Sequence, residues 1–162
     1  MTDWSKTLRL ALVSGTVASI TSTAALALLA RAEHKGALQP ANATSHWLHG
    51  ERAASFKSLD LAHTGVGYAT HHAATVFWAV LFERWIGARR PLGALPVMRD
   101  ALATAAVAAA VDYLATPKRF TPGWEFVLSR RAMAAAYAAM AAGLAAGTLV
   151  TQAGRRDKLP SL

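Results

Sequence analysis

Four windows of this chain hold no Asp, Glu, Lys or Arg: Leu10–Ala30, Leu61–Phe82, Ala101–Val111, whose flanks carry Asp100 and Asp112, and Ala132–Gly154. A hydrocarbon core of about 30 Å takes roughly 20 apolar helical residues to cross, so each window reads as a span. The charged residues, 16% of the chain, crowd between the windows. The expected fold is all-α: a four-transmembrane-helix bundle, one integral membrane domain over 1–162, with spans at about 9–30, 61–83, 97–115 and 130–152. A soluble alanine-rich four-helix bundle is the alternative. Against it, the first and last windows lack the charged face that a soluble helix of that length needs. The first window also resembles a signal peptide ending at Ala30-Arg31-Ala32, but it is long for an h-region.

The second window carries three of the six histidines. At 100° per residue, Ala62, Val66, Ala69, Ala73, Val76, Phe77 and Val80 share one apolar arc. Thr64, Tyr68, His71 and Thr75 take the opposite arc, with His63 and His72 at its edges. This is an amphipathic helix without charge, with one face for lipid and one for protein or a wet cavity. His71 lies ten residues past Leu61, about 15 Å along the axis, so His71 and His72 fall near mid-membrane. Ionisable groups at that depth are a functional-site hypothesis, although neutral, hydrogen-bonded imidazoles are far cheaper to bury.

The connections carry their own signals. Residues 31–60 are too long for a plain turn, and Ser45 and Gly50 would bound a short interfacial helix containing Trp47 and Leu48. Asn42-Ala43-Thr44 is formally a glycosylation acceptor. Residues 83–96 read as a loop, and Pro122 suits the first turn of the last helix. Ser14, Gly15, Ala18, Ser19 and Ser22 form a small-residue side on the first span, and Ala101, Ala105, Ala108 and Asp112 line one side of the third. Gly143 and Gly147 stand in GxxxG spacing, favouring tight helix contact within the chain or between copies.

Four spans place His46, His49, His63, Asp112 and Glu125 on one side of the membrane. His46, His49 and His63 with Asp112 could bind zinc, copper or iron; equally, His46 and His49 could hydrogen-bond the loop to the bundle. Asp112 is open to use as a proton relay, though pairing with nearby Lys118 and Arg119 is the simpler expectation. Bis-histidine haem would need a partner or a second copy to supply the facing histidine. There is no cysteine, no phosphate-binding glycine loop and no Ser-His-acid set, which points away from an enzyme.

The net charge of +8 lies at the membrane flanks, with no aromatic-interleaved basic run that would suggest nucleic acid. The N-terminus, second loop and C-tail hold nine Lys and Arg, and the first and third loops hold eight, a slight lean toward cytoplasmic termini. The expected partners are the lipid bilayer and either further copies of the chain or a larger membrane complex. The chain would then be a small polytopic protein acting through helix association, as an accessory subunit or oligomer. Metal, haem or proton handling is the rival use, and a small transporter whose polar second helix lines a path is the third.

Four strings resemble a known group: P-x-N-A-T-S-H-W-L at 40–48, H-T-G-V-G-Y-A-T-H-H at 63–72, F-W-A-V-L-F-E-R-W at 77–85 and T-P-K-R-F-T-P-G-W-E at 116–125. Together they are similar to small four-span inner-membrane proteins of proteobacteria, a family of domains of unknown function. The resemblance implies the topology and a bacterial inner membrane. It implies no catalytic residue.

Overall fold

The structure, a computed structural model, describes residues 3–87, 89 and 92–156, with the backbone alone at Arg155 and Arg156. Arg90, Lys158 and the side chains of Arg155 and Arg156, all counted in the charge comparison, lie outside the described residues. Among those described there is no strand. The long helices are α1 (Trp4–Ala32), α4 (Val66–Gly87), α5 (Ala94–Ala110) and α6 (Arg130–Arg156); the short α2 (Gln39–Ala43) and α3 (His46–His49) lie between the first two.

Three helical stretches are long and apolar enough to cross a bilayer, at Trp4–Ala32, Ala94–Ala115 and Arg130–Gly154, which marks this as a membrane protein. The second window is not among them. Two adjacent histidines, three threonines in 64–75 and Tyr68 dilute its hydropathy, although α4 matches the others in length. Large apolar side chains point outward from all four long helices, including Leu12, Ile20, Phe77, Leu81, Leu102 and Val150. The arc of α4 assigned to lipid is exposed at Ala62, Ala69, Ala73 and Phe77.

α1 is the hub, with α4 on one side and α6 on the other, while α5 packs chiefly on α6. Small residues make these contacts close. A Cβ added at Gly143 would stand 2.5 Å from Ala18 Cα, and one at Gly147 would stand 2.6 Å from Ser14 Cα. The GxxxG face is therefore filled by α1 of the same chain, and Thr21 Oγ1 donates to Ala139 O across that contact at 3.1 Å. Ser14, Gly15, Ala18, Ser19 and Ser22 are all buried, as are Ala101, Ala105 and Ala108 on α5.

Two boundaries differ from the sequence expectation. Helix α4 continues to Gly87, so Glu83, assigned to a loop, is buried inside the bundle and accepts from Thr148 Oγ1 at 2.7 Å. Loop status was inferred from charge alone, whereas this acid is held by hydrogen bonding within the bundle. Pro122 lies eight residues before α6 rather than in its first turn. Ser129 opens α6 instead, its Oγ accepting from Ala132 N at 3.2 Å.

The first connection folds back onto the bundle end. Ser45 and Gly50 bound α3 as expected, and Gly50 takes φ 74°. Asn42 is fully buried and fastens this segment, donating to Phe56 O (2.8 Å) and Ser58 O (3.1 Å) and accepting from Thr64 Oγ1 (2.6 Å). An amide so enclosed cannot accept a glycan, which removes the formal acceptor reading. Gly67 on α4 lets the α2 carbonyl of Ala41 sit against the helix where any Cβ would collide. Gly123, at φ 79°, does the same for Ala43 O.

Candidate functional site

Because α4 and α6 both lean on α1 and scarcely meet each other, a gap remains between α4 and the α5–α6 pair. At one end of the bundle it widens into a cavity of about 320 Å³. Its α4 wall presents Thr70, His71, Ala74, Thr75 and Trp78, at i, i+1, i+4, i+5 and i+8, the spacing of one helical face. Tyr137 and Met140 of α6 face them, and Asp112 comes from the end of α5. Thr44, Trp47 and residues 120–122 and 124 form the roof.

Asp112 reaches the cavity from a widened turn, Val111–Ala115, in which Thr116 N donates to Val111 O five residues back at 2.9 Å. Such π-turns re-aim side chains and often occur at functional sites. Tyr137 donates its phenol hydrogen to Asp112 Oδ2 at 2.6 Å. Lys118 and Arg119 do not pair with Asp112, contrary to the simpler expectation: both are exposed, and Arg119 Nε donates to Trp47 O at 3.1 Å. The loop after Pro117 turns these cations outward, and a phenol already inside the bundle serves the acid without a second buried charge.

His71 is buried, its Nε2 lying 2.9 Å from Ser22 Oγ on α1 and its ring edge-on to Trp124 at 5.5 Å. The Ser22 hydroxyl also lies 2.7 Å from Ala18 O, which ties the histidine to the backbone of α1. His72, beside it, faces Tyr68 with ring centroids 6.0 Å apart, and its Nδ1 is buried without a partner among the described residues. Thr75 Oγ1 donates to His71 O at 2.8 Å, and Thr64 bonds Asn42 as above. Of the polar arc drawn from the sequence, His71 and Thr75 reach the cavity; Thr64, Tyr68 and His72 do not line it.

The four residues considered for a metal are not brought together. His46 lies with Nδ1 3.0 Å from Ala43 O and Nε2 3.1 Å from Lys118 O, so both ring nitrogens face backbone carbonyls. His49 Nε2 meets Ala62 O at 3.0 Å, and His63 Nδ1 meets the Asp60 carboxylate at 3.0 Å while its ring stacks on Phe56. The His49 and His63 rings are 4.7 Å apart, but Asp112 faces Tyr137 in the cavity. Among the described residues no group of three or more His, Asp or Glu could hold a metal ion. His46 and His49 fasten the loop to the bundle instead.

Sequence reasoning did not single out Trp47, Trp78, Trp124 or Tyr137 as site residues. Trp124 donates Nε1–H to Thr44 at 3.1 Å and Trp47 to Thr70 at 3.2 Å, fixing both indoles at the cavity roof. Pro122-Gly123-Trp124 was the available signal, since a tryptophan after a left-handed glycine is aimed by backbone rather than by a helix. No family model, no curated protein and no solved structure matches the chain.

Proposed function

We propose that this chain is a four-span protein of the bacterial inner membrane, with α4 as the fourth span and both termini in the cytoplasm. On this reading it works by binding a small, mostly apolar molecule in the cavity between α4 and the α5–α6 pair. The cavity carries the proposal: aromatic walls with a few convergent polar groups, Asp112–Tyr137 and His71, are the usual make-up of a ligand site. Neither helix association nor metal binding has comparable support. The small-residue face is occupied by α1, and the candidate ligand set is dispersed. The transporter reading is compatible with the cavity, because the polar side of α4 forms one wall.

Ala74 gives a clean test, because it lines the cavity yet is otherwise exposed, so a larger side chain there fills space without disturbing the core. Protein extracted in mild detergent should carry a co-purifying small molecule detectable by native mass spectrometry. Ala74→Trp should lose it while retaining its melting temperature. Identical ligand content in the two proteins, or none in the parent, overturns the proposal.

A further inference from the structure

The cavity's chemistry is lopsided in sign. Trp47, Trp78, Phe120, Trp124 and Tyr137 put aromatic rings around it, Asp112 puts one carboxylate into it, and no Lys or Arg lines it. The nearest cations are turned away: Arg119 lies over the outer part of Phe120 at 6.0 Å, and Lys118 is exposed. Among the described residues no ion pair involves Asp112, and Tyr137 is the hydrogen-bond partner shown for its side chain. A carboxylate set into a membrane helix bundle is costly unless a cation or hydrogen-bond donors meet it, and one phenol supplies a single donor. Aromatic faces in turn attract an organic cation through their quadrupoles, most strongly where water is thin.

From this arrangement we propose that the occupant is an organic ammonium ion on an apolar body, with Asp112 as its counter-ion and the tryptophan rings as its walls. This rests on the cavity being a ligand site and adds the sign and class of the ligand. A free phosphate or carboxylate, carrying no cation of its own, would meet Asp112 with no Lys or Arg in the lining to compensate it. The cavity has loop segments above it and α1 behind it, while α4 and α5 touch at few points and Ala74 between them is exposed. On this proposal the ligand enters through the gap between α4 and α5, on the side where Ala74 is exposed.

The test uses the full chain in detergent and the fluorescence of its tryptophans, five in all, three of which line the cavity. The probes are benzyltrimethylammonium, its uncharged carbon analogue neopentylbenzene, and benzenesulfonate. The expected result is saturable quenching by the ammonium, at least roughly tenfold weaker binding of the other two, and a similar loss for the ammonium in Asp112→Asn. Asp112→Glu, which keeps the charge, should recover most of the affinity. Lysophosphatidylcholine serves as a competitor: displacement by it assigns the ammonium to a lipid head, and resistance to it assigns a phosphate-free amphiphile, and either result supports the ammonium class. Equal binding of the ammonium and the carbon analogue, unaltered by Asp112→Asn, overturns the cation while leaving the cavity a ligand site. No saturable response to any probe, in a protein that also carries no co-purifying molecule, overturns both.

Discussion

Tyr137 of α6 gives its phenol hydrogen to Asp112, in the widened turn that follows α5, over 2.6 Å, and this contact closes one wall of the cavity. The phenol is nearly buried, and its ring also packs on Trp124 at 5.3 Å. Tyr137→Phe keeps that packing and removes the donor, leaving the acid without its protein partner. Hydrogen bonds to charged groups contribute about 1.5–3 kcal/mol, so the variant should lose stability in that range. Denaturation of both proteins in one detergent checks it, and Asp112→Asn in the Tyr137→Phe background should cost less than in the parent.

Glu33, just past α1, accepts from the Ser129 hydroxyl and from Ser129 N at 3.0 Å, tying the end of α1 to the start of α6. These bonds, the hydroxyl first, hold the Glu33 carboxyl below the usual glutamate range. A carboxylate whose folded pKa is depressed stabilises the fold above its unfolded pKa and loses that contribution as pH falls through the folded one. Melting temperature should therefore drop as pH goes below about 4.5, and Glu33→Gln should flatten part of that decline. Asp60 contributes with the same sign, held low mainly by the His63 backbone N–H, so some acid sensitivity should survive the substitution.

The α1–α6 contact makes a prediction opposite to that for an association motif. Gly143→Ala would drive a methyl into Ala18, and Gly147→Ala into Ser14, both backbone approaches that cannot simply rotate away. Overpacking of this kind costs about 1–3 kcal/mol. The variants should melt earlier at unchanged oligomeric state, as read by light scattering in detergent. Dissociation of a parent oligomer at unchanged melting temperature would instead place the face between copies.

What the sequence revealed and what it hid divide along physical lines. Charge exclusion located the long helices, because hydrocarbon penalises ions strongly and locally, and the small-residue sides of α1 and α5 lie where spacing put them. Ser45 and Gly50 bound α3 where residue preference placed them, although the Ser45 hydroxyl turns back to Asn42 O instead of capping the helix. Glu83 was misplaced because charge alone cannot distinguish a loop from a buried, hydrogen-bonded acid. Tyr137 and Asp112 are 25 residues apart on different helices, and nothing in either local pattern encodes their meeting. The cavity was least visible of all, since it is made by helices that fail to touch. His71 was recognised as unusual, but its partner Ser22 lies 49 residues away on α1.

Whether α4 crosses the membrane is decided by labelling, and the absence of native cysteine makes each introduced thiol the sole reporter. Lys6 in the first turn of α1 and Ser58, Gly93 and Lys118 in the three connections between long helices are exposed. If all four helices cross, Ser58→Cys and Lys118→Cys react alike with a membrane-impermeant maleimide in intact cells, and Lys6→Cys and Gly93→Cys show the opposite behaviour. If only the three most apolar helices cross, positions 58 and 93 fall on one side and 6 and 118 on the other. His71 meets Ser22 of α1, Thr70, His71 and Thr75 line the cavity and Thr64 bonds Asn42, while Ala69, Ala73 and Phe77 face outward. The polar groups thus meet protein, the apolar face remains for lipid, and the four-span pattern is the expected outcome.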